Sequence, residues 1–413
     1  MTTPGDTAAG ALPTGALAGV RVVELASYVA GPYAGALLSD LGADVVKVEV
    51  PPRGDPYRGW ATGNYSPMFC SLNRSKRSIL VDLKTERGRE VARGLVAGAD
   101  VVLENSRVGV MERLGLGYEQ LRLLNPRLVY CSITGFGRTG PHASRPGYDT
   151  VGQATSGLMS LLTDPDDPQP MGISLSDHLA GLFAAYGVLA ALAARERTGE
   201  GQLVDTSLLQ SSTAFLAENM ARYLADGGRP PTRRTRARTA QVYAVTDEDG
   251  APFVVHLSSP DKFWQALLSA LDREDLLDDP RFADRRSRIE HRADIQAVMD
   301  EAFAQGSRDT WLKRLWNADV PAAPLNTLAD VVEDEQVRHL GLVQEVEHPT
   351  QGPMRLLGSG VNLHGTPTRT GPAPVAGEDT AAVLAELGLP GDYLDTEPTH
   401  PPTGPAVAAP AQG

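Results

Sequence analysis

The sequence predicts an α/β protein: a mostly parallel β-sheet with helices on both faces, joined to a smaller α+β domain. Three observations carry this. Short Val/Ile-rich runs alternate with helical patterns from Val20 to Ile133, which is how consecutive βαβ units read. A long helix of small apolar residues follows Asp177. Beyond Asp226 the pattern changes abruptly, and 413 residues exceed what one hydrophobic core usually holds.

In chain order, Val20 to Leu25 (VRVVEL) is a buried-strand pattern, 32–41 a helix and 43–48 (ADVVKV) a second strand. Together they make one βαβ unit. The turn between them, ASYVAGPYAG, has glycines without the GxGxxG spacing. A plain turn is therefore favoured over a nicotinamide-dinucleotide site, although Glu49 stands where such a site carries its acidic residue. PPRGDPYRGW is a loop, and LNRSKRSILVDLK gathers Arg74, Lys76, Arg77 and Lys84 around a strand over 78–83. Two readings stand for this cluster, a phosphate site and a solvated charged surface.

A helix over 86–97, a strand over 100–104, a short helix carrying Arg113 and a strand over 128–133 continue the alternation. Ligands of such sheets gather at the carboxyl ends of the strands, where Glu49, Arg53, Asn105 and the 135–137 turn fall. RPGYD then places Tyr148 and Asp149 ahead of the long helix. That helix is marked at both ends, by Ser176 and Asp177 as caps and by Arg195, Arg197 and Gly199 at its close. Ala180, Gly181, Ala184, Ala185, Gly187, Ala190 and Ala191 leave room for neighbouring backbone, so the helix is expected to be buried. Taken alone, Asp177 is a capping residue at the positive end of the helix dipole. The neighbouring His178 is expected to face solvent.

After Ser211 the helical pattern runs to about Asp226, and GGRPPTRRTRAR, with five arginines from Arg229 to Arg238, reads as a mobile loop or a boundary. Two strands joined at Asp249-Gly250 and helices over 260–271, 292–305 and 309–318 make an α+β region of ordinary domain size. Strands near 343–346 and a helix over 380–387 return to the first domain. The expected division is a disordered tail over 1–16, a large domain over 17–225, a small domain over 226–330, the return over 331–395 and a second disordered tail over 396–413.

A formal charge of −13 argues against nucleic-acid and anionic-membrane partners, which need a net basic face. The N-terminus lacks the basic start and apolar core of a signal peptide, and no apolar span of 18 residues is expected. Cys70 and Cys131 have no metal-ligand spacing. These features predict a cytoplasmic protein from a reducing compartment, with no bound metal.

Several long segments in the right order resemble the family III CoA-transferases, the group of formyl-CoA transferase and carnitine CoA-transferase. They are GADVVKVE, LNRSKRSILVDLK, ADVVLENSRVGVMERLGLGYEQL, NPRLVYCSITGFGRTGP, PGYD, the helix after Asp177 with RTGEGQLVDTSLLQ, and DVPAAPLNT. The resemblance spans Leu17 to about Gly388. It implies a Rossmann-like large domain built from both ends of the chain, and two ring-like chains threaded into an interlocked homodimer. It also implies CoA transfer from an acyl-CoA thioester to a small carboxylic acid, with no permanently bound cofactor and CoA entering as substrate.

The family's nucleophile falls on Asp177, and a carboxylate suits the task because it can itself become an acyl group. The helix terminus is expected to keep it ionised. By the same resemblance Arg53, Val81, Lys84, Asn105, Ser106, Val110, Arg113 and Arg145 hold CoA, and Tyr28, Val29 and Tyr148 line the substrate site. Departures from the formyl-transferring members are Val50 for an arginine, Ser106 for an aromatic, Pro146 for a lysine, and Tyr28-Val29 for Val-Gln, which argues against oxalate. Their glycine-rich lid is missing near Arg229 to Arg238, a stretch read either as a solvated loop or as a cover over an anionic substrate. The alternatives are an α-methylacyl-CoA racemase, disfavoured because Tyr148 stands where those enzymes place a histidine base, and a non-catalytic acyl-CoA binding protein.

Overall fold

The computed structural model describes residues 15–395 other than 62, 64, 165, 171, 229, 259 and 260, with only the backbone described at 236 and 237. Apart from Gly15 and Ala16, the two expected disordered tails lie outside the described residues. Within them the chain divides into two units. One is built from the described parts of Met1–Gly152, Ile173–Ser212 and Leu342–Gly413, and the other from Gln153–Gly172 and Thr213–Gly341. The expected boundaries at 226 and 331 compare with 213 and 342 here.

The first unit begins β1 (Arg21–Leu25), α1 (Ala30–Asp40), β2 (Asp44–Glu49), α2 (Pro67–Leu72), β3 (Arg77–Leu80), α3 (Glu86–Ala97) and β4 (Val101–Glu104). It continues through α4 (Val110–Arg113), α5 (Tyr118–Leu124), β5 (Val129–Thr134), α6 (Asp149–Thr155), α7 (Leu158–Leu162), α8 (Leu175–Thr198), β6 (Leu203–Ser207) and α9 (Leu208–Phe215), of which the end of α6, all of α7 and the end of α9 lie in the second unit. All six strands pair in parallel in the order β3-β2-β1-β4-β5-β6. That is the strand order of doubly wound dinucleotide-binding folds, with the reversal between β1 and β4. Side chains alternate between faces. Val23, Val46 and Val102 pack with α3, α5 and the C-terminal return, whereas Val22, Val45 and Val101 pack under α1 and α8.

β3 is shorter than expected because an Asx turn ends it, with Asp82 accepting from the Lys84 N–H at 2.9 Å. The strand ends also bury charge. Lys47 lies 2.8 Å from Glu24 and 2.9 Å from Asp55, all without exposed side-chain surface. Burial pulls the Lys47 ammonium down, and Asp55, Glu24 and Glu49 more than offset this, so it stays charged above the usual lysine range.

α8 bears on two expectations. By length and composition it is apolar enough to cross a membrane, although its uncharged run, 179–194, is 16 residues. It packs on α1, β5 and β6 as a core helix, close enough that a Cβ at Gly181 would stand 2.6 Å from the Ala30 carbonyl oxygen. Its N-cap is Ser174, which places Asp177 inside the first turn and not at the cap.

The second unit holds α10 (Ala217–Ala225), α11 (Thr235–Thr239), β7 (Val242–Thr246), β8 (Pro252–His256), α12 (Asp261–Ala270), α13 (Arg285–Glu290), α14 (Arg292–Phe303), α15 (Arg308–Asn317), β9 (Ala322–Pro324), α16 (Leu328–Glu333) and α17 (Glu335–His339). Its antiparallel sheet runs β7-β8-β9 over an aromatic core of Tyr243, Phe253, Trp264 and Phe303. The arginine-rich stretch is partly helical in α11, and Arg233, Arg234 and Arg238 are exposed, while Arg229 lies outside the described residues. The return to the first unit forms the hairpin of β10 (Val343–His348) and β11 (Gly352–Leu357), followed by α18 (Thr380–Glu386).

Candidate active site

The reversal in strand order opens a crevice between the ends of β1 and β4. A cavity of about 210 Å3 lies there. The turn after β1 contributes Tyr28, Val29 and Ala30, the turn after β4 contributes Asn105, Ser106, Arg107 and Val108, and the end of β5 contributes Ile133, Thr134 and Gly135. A fourth segment adds Ala143, Arg145, Pro146, Gly147 and Tyr148, and Asp177 and Leu208 complete the wall. Two of these loops cross at glycines: a Cβ on Gly135 would lie 2.8 Å from Gly147 Cα, and one on Gly147 would lie 2.6 Å from Gly135 Cα.

Asp177 presents its carboxylate from the first turn of α8. Ser174 makes no side-chain cap bond, and the Asp149 carboxylate caps from outside, accepting the Asp177 N–H at 3.2 Å. Burial, and then the Asp149 charge, push Asp177 up to about 7. Against the expectation that the helix terminus keeps it ionised, desolvation and a like charge oppose the dipole, worth up to about 2 kcal/mol at a partly buried site, and leave the carboxylate only partly ionised at neutral pH. Below Asp177, Ser176 Oγ lies 2.7 Å from Ser212 Oγ. His178 does not face open solvent, since its Nδ1 lies 2.7 Å from the Ser174 carbonyl oxygen and its ring packs on Tyr33 at 4.7 Å.

Of the residues singled out in the sequence, Tyr28, Val29, Asn105, Ser106, Arg145, Tyr148 and Asp177 share this cavity, whereas Arg53, Val81, Lys84, Val110 and Arg113 do not line it. Val81 is 1% exposed inside the sheet core and Val110 packs against the same core, so the Val81 side chain has no surface for a coenzyme. Arg53, Lys84 and Arg113 are exposed. The basic cluster is largely consumed by structure: Arg74 pairs with Asp40, Lys76 with Glu24 and Arg77 with Glu386. Glu49 is likewise structural, held by Arg58 at 2.6 Å and by Ser78.

Sequence reasoning missed Arg107, which the strand-end rule covers because it stands two residues after Asn105. It also missed Tyr57. Burial, then the Asp177 and Asp55 charges, hold the Tyr57 phenol above its usual range, so it lies within the field of the candidate nucleophile. Nothing in the PPRGDPYRGW loop marked this tyrosine out. In sequence Asp149 shows only as the residue after Tyr148.

The model of CoA-transferase family III matches residues 17–380. A succinate–glutarate CoA-transferase of Agrobacterium fabrum is 39% identical over 90% of this chain and 95% of its own length. The chain belongs to CoA-transferase family III. An acetyl-CoA:oxalate CoA-transferase of Acetobacter aceti is 35% identical over 92% of this chain and 98% of its own. A crystal structure of a CAIB/BAIF family protein from Brucella suis has a TM-score of 0.80 at 38% identity, over 91% of this chain and 100% of that one. As a family III CoA-transferase the chain is an enzyme whose substrates include a CoA thioester. The racemase and non-catalytic readings are not favoured by these relatives.

Proposed function

We propose that the chain transfers CoA from an acyl-CoA to a short dicarboxylic acid through covalent intermediates on Asp177. The observation that carries this reading is one carboxylate opening onto a cavity that Arg107 and Arg145 also line, neither of them in an ion pair among the described residues. Arginine forks suit a second carboxylate on the acyl group, and the relatives are named for succinate, glutarate and oxalate.

In the first step an Asp177 oxygen attacks the donor thioester carbonyl and the carbon–sulfur bond breaks, leaving a mixed anhydride and CoA thiolate. The thiolate attacks the aspartyl carbonyl, forming an aspartyl-CoA thioester and releasing the donor acid as its carboxylate. The acceptor carboxylate then attacks that thioester, expelling thiolate and forming a second anhydride. Thiolate attack on the acceptor carbonyl yields the new acyl-CoA and restores the Asp177 carboxylate. The N-terminus of α1, where Val29 makes no side-chain cap bond and Ala30 lines the cavity, offers backbone N–H groups to the oxyanions. Arg53, Lys84 and Arg113 remain proposed contacts for the CoA phosphates. The test is a CoA-exchange screen with succinyl-CoA and acetyl-CoA donors against mono- and dicarboxylic acids. Exchange is expected with short dicarboxylates, and exclusive use of uncharged aliphatic acids would count against the arginine assignment.

The working form proposed is a homodimer of interlocked chains. α8 leaves Leu182 51% and Tyr186 68% exposed, four residues apart on one helix face that a second chain could cover. Light scattering is expected to return the mass of two chains; one chain's mass would refute it.

A further inference from the structure

The turn after β1, which contributes Tyr28, Val29 and Ala30 to the cavity wall, is held by three side chains from separate parts of the fold. Asn105, at the end of β4, grips Ser27 at both ends of its peptide unit: Oδ1 accepts the Ser27 N–H at 3.0 Å and Nδ2 donates to the Ser27 carbonyl at 2.8 Å. Lys47, buried in β2, donates to the Ala26 carbonyl at 2.8 Å. Asp55, in turn paired with Lys47, accepts the Tyr28 N–H at 3.2 Å. Tyr28 itself has a φ of +66°, left-handed backbone that a tyrosine rarely adopts. Such a conformation persists only where its surroundings over-determine it. The Tyr28 ring, so placed, packs against Tyr57 and Trp60 with centroids 6.4 and 6.2 Å away.

We infer that Asn105, Lys47 and Asp55 are positioning residues that hold the Ala26–Tyr28 turn with Tyr28 in its left-handed form, and that the Asn105 amide acts on catalysis through this turn. The inference rests on the transferase reading for its catalytic consequence but not for its geometry. One lone pair and one N–H of the Asn105 amide are committed to Ser27, which leaves a coenzyme amide at most the second N–H and the second lone pair. Releasing the clamp displaces Tyr28 and Val29 relative to Asp177, and misplacement of about 1 Å can cost on the order of 100-fold in rate.

The test uses the full chain with Asn105→Ala and the milder Asn105→Asp, which keeps the acceptor for the Ser27 N–H and removes the donor to its carbonyl. Hydrogen–deuterium exchange of peptides covering residues 25–30 reports the clamp directly. Asn105→Ala is expected to speed exchange there by about tenfold or more while the sheet strands keep their protection. Isothermal titration with free CoA is expected to give a Kd within about twofold of the parent, while kcat for CoA exchange falls about 10- to 100-fold. Asn105→Asp should fall between the two. Unchanged protection over residues 25–30, or a Kd for CoA that weakens in step with the rate, would overturn the inference. A parent protein that exchanges CoA with no acid in the screen would defeat the transferase reading, while the deuterium and titration results still decide the role of Asn105.

Discussion

Asp177→Ala is expected to lower CoA exchange at least about 1,000-fold, because under the proposed mechanism it removes the group that would carry the covalent intermediates and leaves only binding and oxyanion stabilisation behind. Asp177→Asn should do nearly the same, since the amide fills the same space and cannot form the anhydride. An Asn variant retaining more than about a tenth of the parent rate, after deamidation has been excluded by mass spectrometry, would end the nucleophile assignment.

The same substitution carries a stability signature of known sign. Asp177 is raised from an ordinary value of 3.8 to about 7 in the fold, so the folded state favours its neutral form. That contribution is fully present below the unfolded value and is lost as pH rises through 7. Asn stays neutral throughout. Melting at pH 8 should therefore show Asp177→Asn more stable than the parent by about 1–2 kcal/mol, the cost of a poorly compensated carboxylate. The difference should shrink toward pH 4.

Asp149→Asn is expected to move the acidic limb of the kcat/KM profile to lower pH. In the proposed mechanism Asp177 must be ionised to attack, so the rate is expected to rise with pH through the value near 7 to which burial and Asp149 push it. Removing the Asp149 charge cancels the second cause and leaves burial, the larger one, in place. The limb shifts without returning to an ordinary carboxylate position. The asparagine oxygen can still accept the Asp177 N–H, so the plateau rate above pH 8 should stay within about tenfold of the parent. Asp149→Ala also removes the cap and should lose about 1 kcal/mol of stability besides. A limb that does not move in either variant would show that Asp149 exerts no field on the nucleophile.

Much of this architecture is legible in the chain because buried parallel strands read as unbroken apolar runs. VVEL and VVLE each alternate between two covered faces, and the α3 boundaries follow from the Thr85 cap and the glycine beyond Ala97. Of the positions that the strand-end rule names, Asn105 and Gly135 line the cavity while Glu49 and Arg53 do not; Tyr28, Val29, Ser106, Arg145 and Asp177 follow from the family resemblance. What stayed hidden depends on pairing across long sequence separations. No local pattern shows that Glu49 closes on Arg58, that Lys76 is spent on Glu24, or that the cap of α8 is Asp149, 28 residues upstream of Asp177. The raised value of Asp177 is hidden for this reason: a helix start is visible in sequence, while desolvation and a facing carboxylate are properties of the assembled site.

If the cavity holds the acyl group, as proposed, the crossing of Gly135 and Gly147 limits where new acyl preferences can arise. Each loop touches the other through bare backbone, with a Cβ on either falling within 2.8 Å of its neighbour, so neither glycine can acquire a side chain without forcing that stretch of the cavity wall apart. Divergence among substrates is thereby channelled away from this seam. It is left to positions whose side chains border open volume, above all Tyr28, Arg107 and Tyr148. A laboratory search for altered acid selectivity has its productive library there, with the two glycines held constant as the fixed frame.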